Sequence, residues 1–319
     1  MTKPLIYITM GDPSGIGPEV IIKALAGREI KALADFVVIG DSNLLREEAR
    51  ALGEELMNIE DPDPSHPLKR VIPGKPTEEG AKKGLKSLDK ALELIRALPR
   101  GQSKALVTAP VSKELINRVY PGFTGHTEYL RDAFSLKSVT MVLTGRKLCV
   151  VPVTRHIPLK AVPLKLTKEL ILTALLDVAK NRELICAKKD VTIGVCALNP
   201  HSGEGGSIGR EEIEIISPAI KEAKKFYPKI TGPISADTIF YKAFKKQIDI
   251  VVSMYHDQGL APFKMVDFDY GVNLTLGLPF IRTSPDHGTA FDIAGKGIAD
   301  SKSMEEAIKL ALRAVRGRE

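Results

Sequence analysis

Three histidines stand in matched surroundings. His156, His201 and His256, half of the six in the chain, each follow within a few residues of the end of an apolar strand-like run, in the contexts VPVT-RH, CALN-PH and VVSMY-H. Three neutral imidazoles with an open fourth position make a catalytic divalent-metal site. One such histidine alone is more often a loop residue bonded to backbone. Three at equivalent places, with no cysteine beside them, point to a shared crevice if their strands are parallel neighbours. Asp257 directly follows His256 and Glu204 lies three residues after His201, so carboxylates are at hand to orient metal-bound rings.

Other segments have the makings of anion sites. GDPSGIGPE, Gly11 to Glu19, follows the first strand-like run and leads into a helix starting near Pro18, where backbone amides could face a phosphate or ribose. Its spacing is not GxGxxG, so a tight strand-to-helix turn explains it equally well. NPHSGEGGSIGREE, Asn199 to Glu212, reads as a flexible site loop. Lys264, Asn273 and Arg282 offer a phosphate one point charge, one amide and one bidentate fork.

The elements that must position these residues are legible as an alternation. Apolar runs at Leu5 to Thr9, Phe36 to Ile39, Ala105 to Thr108, Leu148 to Val153, Val191 to Leu198 and Ile248 to Met254 read as strands buried on both faces. Leu85, Leu88, Leu92 and Ile95 recur at helical spacing and predict a helix over 78–97. An α/β fold with a mainly parallel sheet follows, its chemistry collecting beyond the carboxyl ends of the strands.

Composition narrows the function classes. At 319 residues, 44% hydrophobic and 27% charged, the chain can bury an ordinary globular core without staples. A net charge of +7 favours anionic ligands, but the basic residues are scattered and no Trp accompanies the 10 Phe and 7 Tyr, which argues against a nucleic-acid surface. No apolar stretch approaches membrane-spanning length and the N-terminus has no leader signature, so the expectation is a cytoplasmic protein without membrane contact. Cys149, Cys186 and Cys196 read as reduced small hydrophobes.

Taken together, GDPSGIGPE, TAPVSK at 108–113, GHTEYL at 125–130, TRHIPL at 154–159, NPHSGEGGSIGREE, ADTIF at 236–240, YHDQGLAPFK at 255–264 and NLTLGLPFIRTSPDHGTAFDIAGKG at 273–297 resemble the 4-hydroxythreonine-4-phosphate dehydrogenase family, over nearly the whole chain. The resemblance implies His156, His201 and His256 as ligands of one Zn, Co or Mg ion per site, and His126, Thr127, Lys264, Asn273 and Arg282 as substrate residues. It implies NAD-dependent oxidation and decarboxylation of 4-phosphooxy-L-threonine to 3-amino-2-oxopropyl phosphate in pyridoxal phosphate biosynthesis, with Asp237 or Asp257 as the general base. GDPSGIGPE and DHGTAFDIAGKGIAD are also similar to cofactor segments of isopropylmalate and isocitrate dehydrogenases, implying cofactor contacts at Gly11, Gly15, His287, Gly288 and Asp292. An aspartate at position 292 would hold the adenosine ribose and repel a 2′-phosphate, hence NAD. The expected fold has two α/β/α domains of isopropylmalate dehydrogenase-like type with an active-site cleft between them. Residues 1–120 and 268–319 form the cofactor side, residues 121–267 the middle domain, and a homodimer shares the metal ligands between chains. The alternatives are a D-threonate or D-erythronate 4-phosphate dehydrogenase and, more remotely, a metal-dependent phosphatase or acyl-phosphate transferase.

Overall fold

A computed structural model of the chain describes residues 3–56, 58–99 and 104–317. Among them are eleven strands: β1 (Leu5–Thr9), β2 (Asp35–Ile39), β3 (Ile59–Glu60), β4 (Lys104–Thr108), β5 (Thr140–Thr144), β6 (Cys149–Thr154), β7 (Ile193–Cys196), β8 (Ile230–Ile234), β9 (Ile250–Tyr255), β10 (Val272–Leu276) and β11 (Ile281–Pro285). Each run read from the sequence as a strand is one. The short or more polar strands β3, β8, β10 and β11 lack such an apolar run, because pairing within the sheet rather than local composition makes them strands, while the apolar β5 is a further strand outside those runs.

The chain divides into two compact units, one of residues 1–137 and 278–319, the other of residues 138–277. In the first, the strands run β3-β2-β1-β4-β11, all parallel. Ile6, Ile8, Val38, Leu106 and Val107 are fully buried, as strands covered on both faces require. The helix Glu78–Ala97 starts where Thr77 accepts a hydrogen bond from the Gly80 amide and buries Leu88, Leu92 and Ile95. One side of this unit is tied by a buried cation: Lys83 Nζ lies 2.9 Å from Asp61 and 3.3 Å from Asp41, and donates to the carbonyls of Asp63 and His66. Asp41 also caps the helix Ser42–Ala51, so a single charge cluster joins the ends of β2 and β3 to that helix.

In the second unit the order is β10-β5-β6-β9-β7-β8. Strands β6, β9, β7 and β8 are parallel, whereas β10, β5 and β6 pair antiparallel. The β5–β6 hairpin turns at Gly145, and its amides have one partner in common. Asp267, the last residue of the helix His256–Asp267 and 1% exposed, accepts from the backbone amides of Arg146, Lys147 and Leu148 at 2.8–3.2 Å. A Cβ at Gly145 would come within 2.4 Å of the Asp267 carboxyl carbon, so glycine is required for this approach. Among the described residues no helix is long and apolar enough to cross a membrane.

Replacing Asp267 by Ala strands three amides, two of them partly and one fully buried. We expect a loss of about 2–4 kcal/mol in urea unfolding, with Asp267→Asn intermediate. A loss below about 0.5 kcal/mol would show that water replaces the carboxylate.

Candidate active site

In the second unit the strand ends place the histidines. His156 follows β6 and His256 opens the helix that follows β9, and since β6 and β9 are paired neighbours the two rings lie 5.6 Å apart between centroids. Two imidazoles on one tetrahedral ion at roughly 2.0–2.1 Å have centroids about 5 Å apart, so this pair fits a shared metal. His201 follows β7, on the other side of β9, but it is not grouped with them. Among the described residues of a single chain, no cluster of three or more His, Cys, Asp or Glu side chains could hold an ion. A single chain thus brings two of the three histidines together. Past β7 the backbone enters a turn of successive left-handed residues.

That turn carries His201 at φ 50°, Ser202 at 56°, Gly203 at 78°, Glu204 at 43° and Gly205 at 66°. A left-handed conformation costs a non-glycine residue on the order of 1–2 kcal/mol, so three of them persist only where the surroundings hold them. His156 is also left-handed, at φ 49°. Both strained histidines lie just beyond strand ends, the setting in which strain accompanies function.

Each of the other two rings has a carboxylate on Nδ1. His201 Nδ1 is 2.7 Å from Glu204 and His256 Nδ1 is 2.6 Å from Asp257. This arrangement places the Nδ1 proton on the carboxylate side and leaves Nε2 as the ligand atom. The Glu204 hydrogen bond and charge, with Asp237 contributing less, raise the proton affinity of His201. Of the two candidate bases, Asp257 is thus engaged with His256. Asp237 has the Thr238 hydroxyl at 3.3 Å. In this unit too are Lys264, whose Nζ is 5.6 Å from the centre of the Phe268 ring, and Asn273 on β10, whose side-chain oxygen is buried without a hydrogen-bond partner.

In the first unit a buried cation lies near a helix start. Arg282, 3% exposed on β11, donates to Thr108 Oγ1 at 2.6 Å, Thr108 being the last residue of the adjacent β4. His126 and Thr127 open the helix His126–Ala133, whose free amides favour an anion. Burial, followed by the charges of Arg282 and Lys113, lowers the His126 pKa from 6.5 to about 3, so its ring is neutral. Burial also lowers Arg282, to about 10, still cationic at neutral pH. Lys113 and Thr108 sit in the TAPVSK segment quoted above but had no role in the reading of the sequence. Their signal is spatial, through Gly125, where a Cβ would lie 3.4 Å from Lys113.

The glycines expected at the cofactor have packing roles. A Cβ at Gly11, at φ 74°, would lie 2.3 Å from the Pro110 carbonyl, and one at Gly15 would lie 2.8 Å from that of Thr289. The GDPSG turn is thereby seated on both the TAPVSK and the HGT segments, with Ile16 N bonded to Thr289 O at 3.0 Å. Gly288 is different: a side chain there would meet nothing within 4 Å. His287 turns its Nδ1 to the Gly288 carbonyl, and Asp292 is exposed on the loop that follows.

The fold is that of an α/β protein of the isocitrate dehydrogenase type. A solved isocitrate dehydrogenase from Methylococcus capsulatus matches 98% of this chain and 88% of its own at a TM-score of 0.53 and 16% identity, a likeness of fold. The model of the pyridoxal phosphate biosynthetic protein PdxA family matches residues 32–311, and the chain belongs to that family. It is 40% identical to a 4-hydroxythreonine-4-phosphate dehydrogenase of Geobacter metallireducens, covering 99% of this chain and 96% of that one. It is also 40% identical to a provisionally named D-threonate 4-phosphate dehydrogenase of Oceanobacillus iheyensis, covering 97% of both. The crystal structure of 4-hydroxythreonine-4-phosphate dehydrogenase from Klebsiella pneumoniae superposes with a TM-score of 0.81 at 36% identity, over 98% of this chain and 100% of that one.

The depressed pKa of His126 predicts the pH dependence of folding. Between the unfolded value of 6.5 and the folded value of about 3 the unfolded chain binds more protons, so stability is present above 6.5 and is lost as pH falls through this window. Urea midpoints of the protein and of His126→Gln, compared at neutral and mildly acidic pH, should show a loss in the wild type that the variant lacks. Equal losses would mean that the ring is protonated in the folded state.

Proposed function

We propose that the protein is the NAD-dependent, metal-assisted dehydrogenase that converts 4-phosphooxy-L-threonine to 3-amino-2-oxopropyl phosphate and CO₂. The observation that carries the reading is the His156–His256 pair at neighbouring strand ends, in a chain whose relatives bear the name of this activity along their full length. Arg282, His126 and Thr127 hold the phosphate, with Lys264 and Asn273 as further substrate contacts, and so fix the reacting carbon. A bound divalent ion would supply Lewis acidity at the C3 oxygen, and bound NAD the acceptor for the C3 hydride. Asp237 takes the hydroxyl proton, while Asp257 and Glu204 hold their imidazoles in the ligating tautomer. Loss of the carboxylate as CO₂ then follows from the β-keto acid. For the cofactor we assign the turn at Gly11 and Gly15, the open space at Gly288 beside His287, and Asp292 for the ribose hydroxyls. Three free cysteines, two of them buried, suit the reducing cytoplasm, where we place the reaction.

Two imidazoles are too few for a catalytic ion, and His201, its side chain 68% exposed, is the ligand we assign to a second copy of the chain. Large exposed apolar residues support a partner: among the described residues, Leu159, Leu164, Ile208, Ile213, Met265 and Phe268 all lie on the second unit. A two-fold homodimer would then carry two equivalent composite sites.

A second reading has the same site oxidise D-threonate 4-phosphate, because the Oceanobacillus relative is as similar as the Geobacter one. An NADH absorbance assay on both substrates decides between them, faster turnover of 4-phosphooxy-L-threonine being expected. Exhaustive chelation should abolish activity and Zn²⁺, Co²⁺ or Mg²⁺ restore it; full activity in metal-free protein refutes the metal reading.

Composite sites also predict complementation. His201→Ala and His256→Ala should each be inactive, yet co-refolded mixtures should recover up to roughly a quarter of wild-type activity, since random pairing makes half the dimers mixed and each mixed dimer has one intact site. Zero activity in confirmed heterodimers would place both ligands on one chain.

A further inference from the structure

We propose that Glu212 is the positioning residue for His201, setting where its imidazole is presented; the inference rests on the metal-site reading above. Glu212 touches neither His201 nor, in that reading, the metal. Its carboxylate is 3% exposed, and Oε1 accepts from the backbone amides of Leu198 and Asn199, each at 2.8 Å. Oε2 accepts from Asn199 Nδ2 at 3.0 Å. These donors are the residues just before Pro200 and His201, so the carboxylate grips the chain at the point where it leaves β7.

The far side of the turn rests on the same group. A Cβ at Gly203 would lie 2.7 Å from Glu212 Oε2, and one at Gly209 would lie 2.2 Å from Asn199 Nδ2, so both glycines exist to let the loop close onto this pair. His201 itself is largely exposed, and its ring is held by Glu204, a member of the same left-handed turn. The direction of the ring therefore comes from the backbone beneath it, and that backbone is seated on Glu212. Only an all-acceptor group suits the seat. Glutamine would keep one oxygen for the two amides but set its own NH₂ against the Asn199 donor.

The test is a double-mutant cycle on zinc affinity, read by competition with a chromophoric chelator on metal-stripped full-length protein, with the thermal midpoint of each variant measured alongside. His201→Ala should weaken zinc by at least about tenfold, as loss of a ligand requires. Glu212→Gln should weaken it by about tenfold in the wild-type background and by less than about twofold in the His201→Ala background, because its effect runs through that ring. Asn199→Ala, which removes the side-chain donor that Glu212 shares with Glu211 (3.0 and 2.7 Å), should give the same pattern at smaller amplitude and serves where Glu212→Gln is too unstable to purify. Wild-type zinc affinity in the Glu212 and Asn199 variants, or equal losses in both backgrounds, overturns the assignment while leaving the metal site intact. Unchanged zinc affinity in His201→Ala instead overturns the metal-site reading and the inference with it.

Discussion

A carboxylate buried against backbone amides does most of the positioning in the second unit. Asp267 fills the β5–β6 turn with the end of the helix His256–Asp267, and that helix carries His256 at its first residue and Lys264 within its last turn. Because the other end of the helix continues directly from β9, both ends are fixed to the sheet, one by chain connectivity and one by three hydrogen bonds. A charged acceptor makes such bonds about twice as strong as a neutral one, and the amides it satisfies would otherwise be unpaired in a hairpin turn. Glu212 repeats the device at the base of the His201 turn, and in the first unit Lys83 does the inverse, a buried cation gathering two carboxylates and two carbonyls.

These buried charges divide the ionisable residues into two populations with different work. Asp41, Asp61, Lys83, Glu212 and Asp267 are spent on backbone and on one another. Asp237, Asp257, Glu204, His156, His201 and His256 lie past the ends of strands, where they are partly or largely exposed. Arg282 and His126 stand between: both are sheltered, and burial, with the Arg282 cation adding to it, keeps the His126 ring neutral. A neutral imidazole beside a fixed guanidinium is a hydrogen-bond donor that adds no charge of its own.

Strain is distributed in the same pattern. Left-handed backbone at His156 and across His201 to Gly205 occurs where β6 and β7 end, while the third histidine follows its strand directly into a helix. His156 and His256 meet because β6 and β9 are paired neighbours, one ring after a left-handed residue and the other at a helix start.

Much of this was legible in the amino-acid order. Apolar runs of four to eight residues marked the strands buried on both faces, the spacing of Leu88, Leu92 and Ile95 marked the long helix, and the motif set named the family, because each of these signals is local or nearly so. The chemistry-bearing residues were visible for the same reason: histidines after strand-like runs need no partner to be noticed. Pairing was not. That His156 meets His256 and not His201, that Gly11 and Gly15 serve close backbone approaches, and that Thr108 and Lys113 stand beside Arg282 and His126 are facts of strand order and turn handedness. Glu212 shows the limit most clearly: in sequence it is the second glutamate of a polar GREE run, and only the closed loop reveals which of the two is buried against the Leu198 and Asn199 amides, because a hydrogen bond between residues thirteen or fourteen positions apart leaves no periodic trace.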